Sequence, residues 1–137
     1  MTIFFIILTV VFWGVAPILD KTALKSGDPY IGTIIRGIVI GITVILIMLI
    51  GGKAKELMAL PAKTIILFGV SGLFAGLLGT FTFYKALQTG ATSMIVPLAA
   101  TYPLVTALLS VLILGETVTA ARIAGTVLIV GGIWLVK

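Results

Sequence analysis

Residues 31–50 read IGTIIRGIVIGITVILIMLI, and this stretch decides the fold. At a rise of 1.5 Å per residue, about 20 helical residues span roughly 30 Å, the thickness of a bilayer's hydrocarbon core. Arg36 is the one charged residue in the stretch. Within lipid the backbone has to satisfy its own hydrogen bonds. The stretch therefore predicts a membrane-spanning helix, despite its content of isoleucine and valine.

Four more apolar runs flank this one, separated by short polar breaks. The runs cover about residues 3–19, 31–50, 64–88, 91–114 and 119–136. The first run has no basic segment before it and is followed by four more spans, so we expect it to remain in the mature protein rather than act as a signal peptide. The predicted fold is all-α: a polytopic five-helix bundle, with residues 1–137 forming a single multi-pass domain of the cell membrane and the termini on opposite sides.

The composition supports this class. Apolar residues make up 61% of the chain and charged residues 9%, and the mean hydropathy is +1.35. A soluble domain has about a quarter of its residues charged, so the expected surroundings are the lipid bilayer. The net charge of +5 does not indicate nucleic acid here, because the cations lie mostly at the ends of apolar runs, where they anchor helices at headgroups.

Catalytic and metal chemistry finds little support in the sequence. Cysteine and histidine are absent, which excludes a disulfide framework, a thiolate nucleophile, a Cys/His metal site and the commonest general base. The carboxylates are Asp20, Asp28, Glu56 and Glu116. We predict that the protein is not an enzyme and holds no cofactor or metal.

Glycines and prolines mark the runs unevenly. Small residues four apart, such as Gly72 and Gly76, allow close helix packing in lipid. Pro17 lies in the first run, and Pro97 and Pro103 lie in the fourth. Each proline removes a backbone donor. Two interpretations stay open: static kinks, or helices that line a polar path and hinge there.

A polar path is predicted from the side chains that accompany these prolines. Ser93, Pro97 and Thr101 are four residues apart and so share one helix face. With Tyr102, they are predicted to face the first run across a cargo path. The partners expected on that run are Trp13 and Pro17.

Arg36 lies about seven residues past Pro29, roughly 10 Å inside the membrane at the helical rise. A central arginine costs about 2.5–3.5 kcal/mol on insertion scales, and an intramembrane charge is a functional residue by default. Snorkelling or a structural ion pair is the other interpretation. Asp20 ends the first run on the same side and is the expected partner, whereas Glu116 ends the fourth run on the opposite side.

Asp20, Lys21, Arg36 and Lys85 thus form a predicted group at one side of the membrane. Three cations beside one carboxylate favour an anionic group on the cargo, either carboxylate or phosphate. Headgroup anchoring is the alternative.

The loop charges leave the orientation open. If adjacent helices alternate in direction, four cations fall on each side, leaving Arg36 aside. The positive-inside rule needs an imbalance. One side receives Lys53, Lys55, Lys63 and Arg122, and the other receives Lys21, Lys25, Lys85 and Lys137.

Taken together, these spans and motifs resemble the EamA domain of the drug/metabolite transporter superfamily, most closely its half-size, five-helix members. The motifs that carry the resemblance are Phe12-Trp13-Gly14, Asp20-Lys21, Ile35-Arg36, Phe83-Tyr84-Lys85-Ala86-Leu87, Gly90-Ala91-Thr92-Ser93, Val96-Pro97-Leu98, Tyr102-Pro103-Leu104-Val105-Thr106-Ala107, Leu112-Ile113-Leu114-Gly115-Glu116-Thr117, Arg122, Gly125 and Gly131-Gly132.

The resemblance implies a transporter built from two such repeats of opposite orientation around a central cavity. This chain has one repeat, so we expect a dimer, with an antiparallel homodimer as the leading form and a parallel dimer or a heterodimer as rivals. The small multidrug relatives carry a carboxylate in the middle of the first helix. Here the first carboxylate is Asp20, at the end of that helix, which weakens a proton-coupled exporter of cationic drugs.

The predicted function is a secondary transporter or exporter of small-molecule metabolites. The alternatives are a small multidrug exporter and a non-transporting accessory membrane subunit, which would turn all its polar atoms to helix–helix contacts. The predicted substrate-binding or pathway residues are Trp13, Pro17, Asp20, Arg36, Tyr84, Lys85, Ser93, Pro97, Thr101 and Tyr102.

Overall fold

The computed structural model describes residues 1–135, and within them it is helical with no strand. The last residue of the predicted fifth run, Val136, and the Lys137 of the charge comparison lie outside the described residues. The helices are α1 (Thr2–Ala23), α2 (Pro29–Ile50), α3 (Ala54–Met58), α4 (Ala62–Gly72), a π-helical segment (Leu73–Gly79), α5 (Thr80–Thr89), α6 (Thr92–Ala99), α7 (Tyr102–Leu114) and α8 (Ala120–Trp134). The predicted all-α membrane fold is confirmed.

Four apolar helical stretches in the described part are long enough to cross a bilayer. They are Thr2–Ala23, Pro29–Ile50, Ala62–Thr89 and Thr92–Leu114. We call the last two the third span and the fourth span. Helix α8 is also apolar but has 15 residues, a length of about 22 Å at the helical rise.

Capping residues explain why α2 begins earlier than its apolar run. The Asp28 carboxylate accepts hydrogen bonds from the backbone N–H of Tyr30 at 2.8 Å and of Ile31 at 3.2 Å. Pro29 occupies the first helical position, where a missing N–H is tolerated. The helix therefore starts at Pro29 rather than at residue 31.

The third span contains a feature that the apolar pattern did not predict. The run 64–88 was expected to be one regular helix, but Leu73–Gly79 is π-helical. At its end the Thr80 hydroxyl donates to the carbonyl of Ala75, five residues back, at 3.2 Å. An i+5 bonding pattern leaves the hydrophobicity of the segment unchanged, so hydropathy carries no signal for it. Such segments occur frequently at functional sites.

The fourth span consists of two helical pieces. Helix α6 ends at Ala99 and α7 begins at Tyr102, because Pro103 has no N–H to continue the ladder. The Thr101 hydroxyl donates to the Leu98 carbonyl at 2.7 Å in the turn between them. Pro17 and Pro97, in contrast, lie inside helices. In the fourth span, the kink or hinge predicted from the prolines is thus an interruption of the helix at residues 100–101.

The chain forms two compact units, the first covering Met1–Thr89 and the second beginning at Gly90. In the first unit, α1 and α2 pack against α5, and this is where Leu24, Tyr84 and Leu87 are buried. Most other large apolar side chains of the first three spans are exposed. Apolar surface on this scale marks contact with membrane or with protein.

In the second unit, two caps set the connection between α7 and α8. Gly115 ends α7 with φ of +66°, a conformation that glycine adopts without strain. The Thr119 side chain accepts from the N–H of Arg122 at 3.3 Å and caps α8. The short loop between them contains Glu116, a carboxylate beside the positive end of the α8 dipole.

The short α8 makes the position of the C-terminus a direct test of five spans. We expect a tag at Lys55 and a tag at the C-terminus of the same chain to lie on opposite sides of the membrane. Sealed vesicles treated with an impermeant protease should yield molecules that keep one tag and lose the other. Molecules that keep both tags or lose both would mean that α8 does not cross.

Candidate functional site

Three side chains from three helices meet at one end of the first unit. The hydroxyl of Tyr84 on α5 donates to Oδ1 of Asp20 on α1 at 2.7 Å. Nη1 of Arg36 on α2 donates to the Tyr84 hydroxyl at 3.2 Å and to Oδ2 of Asp20 at 3.4 Å. We call these three residues the polar triangle. The predicted partnership of Arg36 with Asp20 is present.

The direction of the helices explains why these residues meet. Helix α1 ends and α2 begins at the same end of the unit, because residues 24–28 connect them as a short turn. Asp20 is in the last turn of α1, and Arg36 is two turns into α2. The third span brings Tyr84 to this same end in its last helix.

Gly32 allows the Tyr84 ring to lie against α2. A Cβ atom at Gly32 would be 3.3 Å from Cε2 of Tyr84, closer than ordinary van der Waals contact, and 3.4 Å from Cδ2. Tyr84 itself is 4% exposed. The ring is therefore enclosed while its hydroxyl reaches both charged partners.

Lys21 holds α1 to the end of α5. Its ammonium donates to the backbone carbonyl of Leu87, and it lies 3.5 Å from that of Gln88. The last carbonyls of a helix lack intrahelical partners, and a cation there also suits the helix dipole. Lys21 therefore stabilises the packing of α1 against α5 that brings the polar triangle together.

Lys85 has a different environment from the other members of that predicted group. Its ammonium lies 5.5 Å from the centroid of the Phe81 ring, within the range of a cation–π contact. Phe81 in turn packs edge-on against Tyr30, with 6.4 Å between the ring centroids. Lys85 thus interacts with an aromatic pair on α5 and α2.

An open cleft of about 570 Å³ lies between α1 and α2 and borders the polar triangle. Its polar lining comes from Asp20, Asp28, Arg36 and Tyr84. The rest of the lining is apolar or glycine, contributed by the facing sides of the two helices. The Arg36 side chain is 41% exposed and that of Asp20 is 16% exposed. Arg36 is therefore accessible from the cleft.

The predicted cargo-path residues are divided between the two units. On α1, Trp13 is exposed and Pro17 is buried. The second unit contains the other four: Ser93 and Pro97 on α6, Thr101 in the turn, and Tyr102 at the start of α7. A path faced by both sets stays a prediction.

Two contributors to the site were not predicted from the sequence. Gly32 lies in an apolar run, and a glycine in such a run indicates close helix packing without identifying the side chain that it contacts. The bridging position of Tyr84 between the two charges depends on helix register, which the sequence does not show. The Asp28-Pro29 pair was a readable signal, since aspartate followed by proline is typical of a helix start.

Metal binding finds no support in the part of the chain that the structure describes. Within residues 1–135, no three Asp or Glu side chains come together as a ligand set. The chemistry that the polar triangle and cleft offer is noncovalent: a planar cation, a hydroxyl, two carboxylates and apolar walls.

A charged cluster beside a cleft, within apolar spans, is an arrangement suited to solute binding in a membrane. The EamA-like transporter family matches the chain over residues 1–137. The chain belongs to this family. Members of the EamA family are transporters of small molecules rather than enzymes, so this is a multi-pass membrane protein of a transporter family.

A relative of this EamA chain is an uncharacterized protein of Methanocaldococcus jannaschii. The two are 31% identical over 131 residues, which cover 96% of this chain and 92% of the relative. The relative is therefore of similar length. No solved structure matches the chain.

The contact between Gly32 and Tyr84 predicts an asymmetry between two glycines of α2. Gly32→Ala should lower the free energy of unfolding by about 1–3 kcal/mol relative to Gly37→Ala, as overpacking does. Gly37 is the matched control, because a Cβ there meets nothing within 4 Å. Thermal unfolding in detergent measures the difference.

A double variant separates crowding of the ring from a general effect of alanine. Tyr84→Phe removes the hydroxyl that fixes the ring, so the ring becomes able to shift away from an alanine at position 32. Gly32→Ala should then be less harmful in the Tyr84→Phe background than in the wild type. Strict additivity of the two changes would contradict a direct contact.

Proposed function

We propose that this EamA-family protein is a secondary transporter or exporter of small metabolites in the cell membrane, working as a dimer of two five-helix chains. The observation that carries the proposal is the placement of Arg36. Its guanidinium lies within a membrane span, is held by Asp20 and Tyr84, and borders an open cleft. A charge at such a site costs a few kcal/mol unless it is paired or used.

The exposure of the ion pair favours binding over pure packing. A pair that only stabilised the bundle would be enclosed, and even then it would contribute little net stability. Here the Asp20 carboxylate is mostly covered, while the Arg36 side chain is 41% exposed. Asp20 and Tyr84 therefore orient a guanidinium that also lines the cleft.

The same geometry disfavours export of cationic drugs. A cation site at the polar triangle needs an available carboxylate, and both oxygens of Asp20 already accept hydrogen bonds, one from Tyr84 and one from Arg36. Asp28, the other carboxylate of the cleft, caps the start of α2. No other carboxylate lies in the first span of the sequence. Transport of metabolites is therefore the better-supported function.

The transport proposal is tested with reconstituted protein and unbiased cargo. Proteoliposomes loaded with an isotope-labelled metabolite mixture should lose particular compounds faster than protein-free liposomes, as measured by mass spectrometry. Arg36→Lys keeps the charge but loses the planar fork. It should reduce the flux about tenfold, the equivalent of about 1.4 kcal/mol.

The control for this variant is Lys25→Gln, which removes a cation from the exposed turn after α1. Its flux should match the wild type. Normal flux from an Arg36→Leu protein would remove Arg36 from the transport mechanism. Absence of any compound-specific flux in the wild type would favour the accessory-subunit alternative.

The dimer part of the proposal rests on three properties of the chain. It supplies one repeat, whereas inverted-repeat transporters bind cargo between two. Its spans leave most large apolar side chains exposed within the described residues. Its loop cations divide evenly between the two sides, which leaves both orientations accessible to one sequence. An antiparallel homodimer accounts for all three properties.

Charge bias tests the antiparallel arrangement. Two added lysines in the 53–63 loop should fix one orientation, and two added in the 24–28 turn should fix the other. Each variant alone should be inactive, and co-expression should restore flux. Full activity of either variant alone would overturn the antiparallel form and favour a parallel dimer, and rescue that requires a different half-size protein would favour a heterodimer.

A further inference from the structure

Arg36 has one side of its guanidinium occupied and another side available. Both of its protein contacts, to Asp20 and to Tyr84, are made by Nη1. Within residues 1–135, Nη2 and Nε make no hydrogen bond. These two nitrogens carry three N–H donors. They form one edge of the planar fork, the geometry that matches both oxygens of a carboxylate.

Most of the charged side chains around this edge already have hydrogen-bond partners. Asp20 accepts from Tyr84 and Arg36. Asp28, the other acidic residue of the cleft, accepts from two backbone N–H groups at the positive end of α2. Lys21 adds a cation next to Asp20 in the sequence. Asp20, Asp28, Lys21 and Arg36 together are formally neutral, so an anion would be held by the open edge of Arg36 rather than by a net positive charge.

Beyond the polar triangle, the deep end of the cleft is apolar. Asp28 is at the end where α2 begins, and Arg36 lies two turns further along that helix. One turn deeper, the lining is formed by Ala16 on α1 and by Val39 and Ile40 on α2. The volume of about 570 Å³ is within the range of pockets that hold small molecules. An occupant should therefore be charged at one end and apolar at the other.

We propose that the cleft between α1 and α2 binds an amphipathic organic monocarboxylate. Its carboxylate accepts two hydrogen bonds from the Nη2–Nε edge of Arg36, and its apolar chain extends towards Val39 and Ile40. The inference rests on the proposed transport function, for which it names the class of cargo. The proposed occupant is a water-soluble carboxylate rather than an anionic lipid, and the lipid composition of the nanodiscs separates the two.

Equilibrium binding to the full chain in zwitterionic nanodiscs tests the proposal, with empty nanodiscs subtracted. The probe is hexanoate. Three matched compounds separate its features: 1-hexanol lacks the charge, hexylammonium reverses it, and acetate lacks the chain. Hexanoate should bind at least about tenfold more tightly than each of the others. Each methylene added between acetate and hexanoate should strengthen binding about two- to fourfold, as apolar burial implies.

Three variants locate the binding. Arg36→Gln should weaken hexanoate binding about tenfold or more, while Lys25→Gln, with the same loss of charge at the same end, should leave it unchanged. Ala16→Leu leaves the polar triangle intact and narrows the apolar end, so it should weaken hexanoate more than acetate. This variant keeps the proposal testable if Arg36→Gln fails to fold.

Several outcomes would overturn the site. One is equal binding of hexanoate and 1-hexanol. Another is loss of hexanoate binding in anionic-lipid nanodiscs, which would identify a lipid headgroup as the occupant. A third is unchanged binding in both Arg36→Gln and Ala16→Leu.

The binding test is independent of the flux test. Compound-specific flux without hexanoate binding would remove the carboxylate site and leave the transport function standing. Hexanoate binding without any flux would support the carboxylate site and contradict the transport function.

Discussion

The whole arrangement depends on one constraint: a guanidinium placed within apolar membrane spans needs polar partners that the same spans supply. Arg36 obtains them from two other helices, a carboxylate on α1 and a hydroxyl on α5. The Tyr84 hydroxyl donates to Asp20 and accepts from Arg36, so each group satisfies the next. Because the contacts join three helices, the requirement of one charge also specifies how those helices pack.

Much of this could be predicted from the sequence, because membrane spans and charge placement are one-dimensional properties. The apolar runs predicted the spans to within a few residues. Pairing of Arg36 with Asp20 followed from noting which run ends share a side of the membrane. The role of Tyr84 did not follow, because bridging two charges depends on the rotation of α5 about its axis. Gly32 was missed for the same reason, because its role is to leave room for the Tyr84 ring that packs against it.

Local backbone chemistry accounts for the other differences. The start of α2 is determined by the Asp28 cap and by Pro29, neither of which belongs to the apolar run. The interruption of the fourth span follows from a missing N–H at Pro103, while Pro17 is accommodated within α1. Proline therefore predicts where a break is permitted, and the neighbouring residues decide whether it occurs. The path predicted between Trp13 and the fourth-span residues concerns two units and stays a prediction.

The π-helical segment has a consequence for how the third span presents its faces. A residue in an α-helix advances by about 100° around the axis, and wider turns over Leu73–Gly79 accumulate a phase lag of about that size. The residues of α4 that lie on the same side as Tyr84 therefore differ from those that a regular α-helix of this sequence would place there. The extra turn width acts as a built-in phase offset between the faces that α4 and α5 present. By the same arithmetic, loss of one residue within the segment would return it to regular α-helix with both faces still in place.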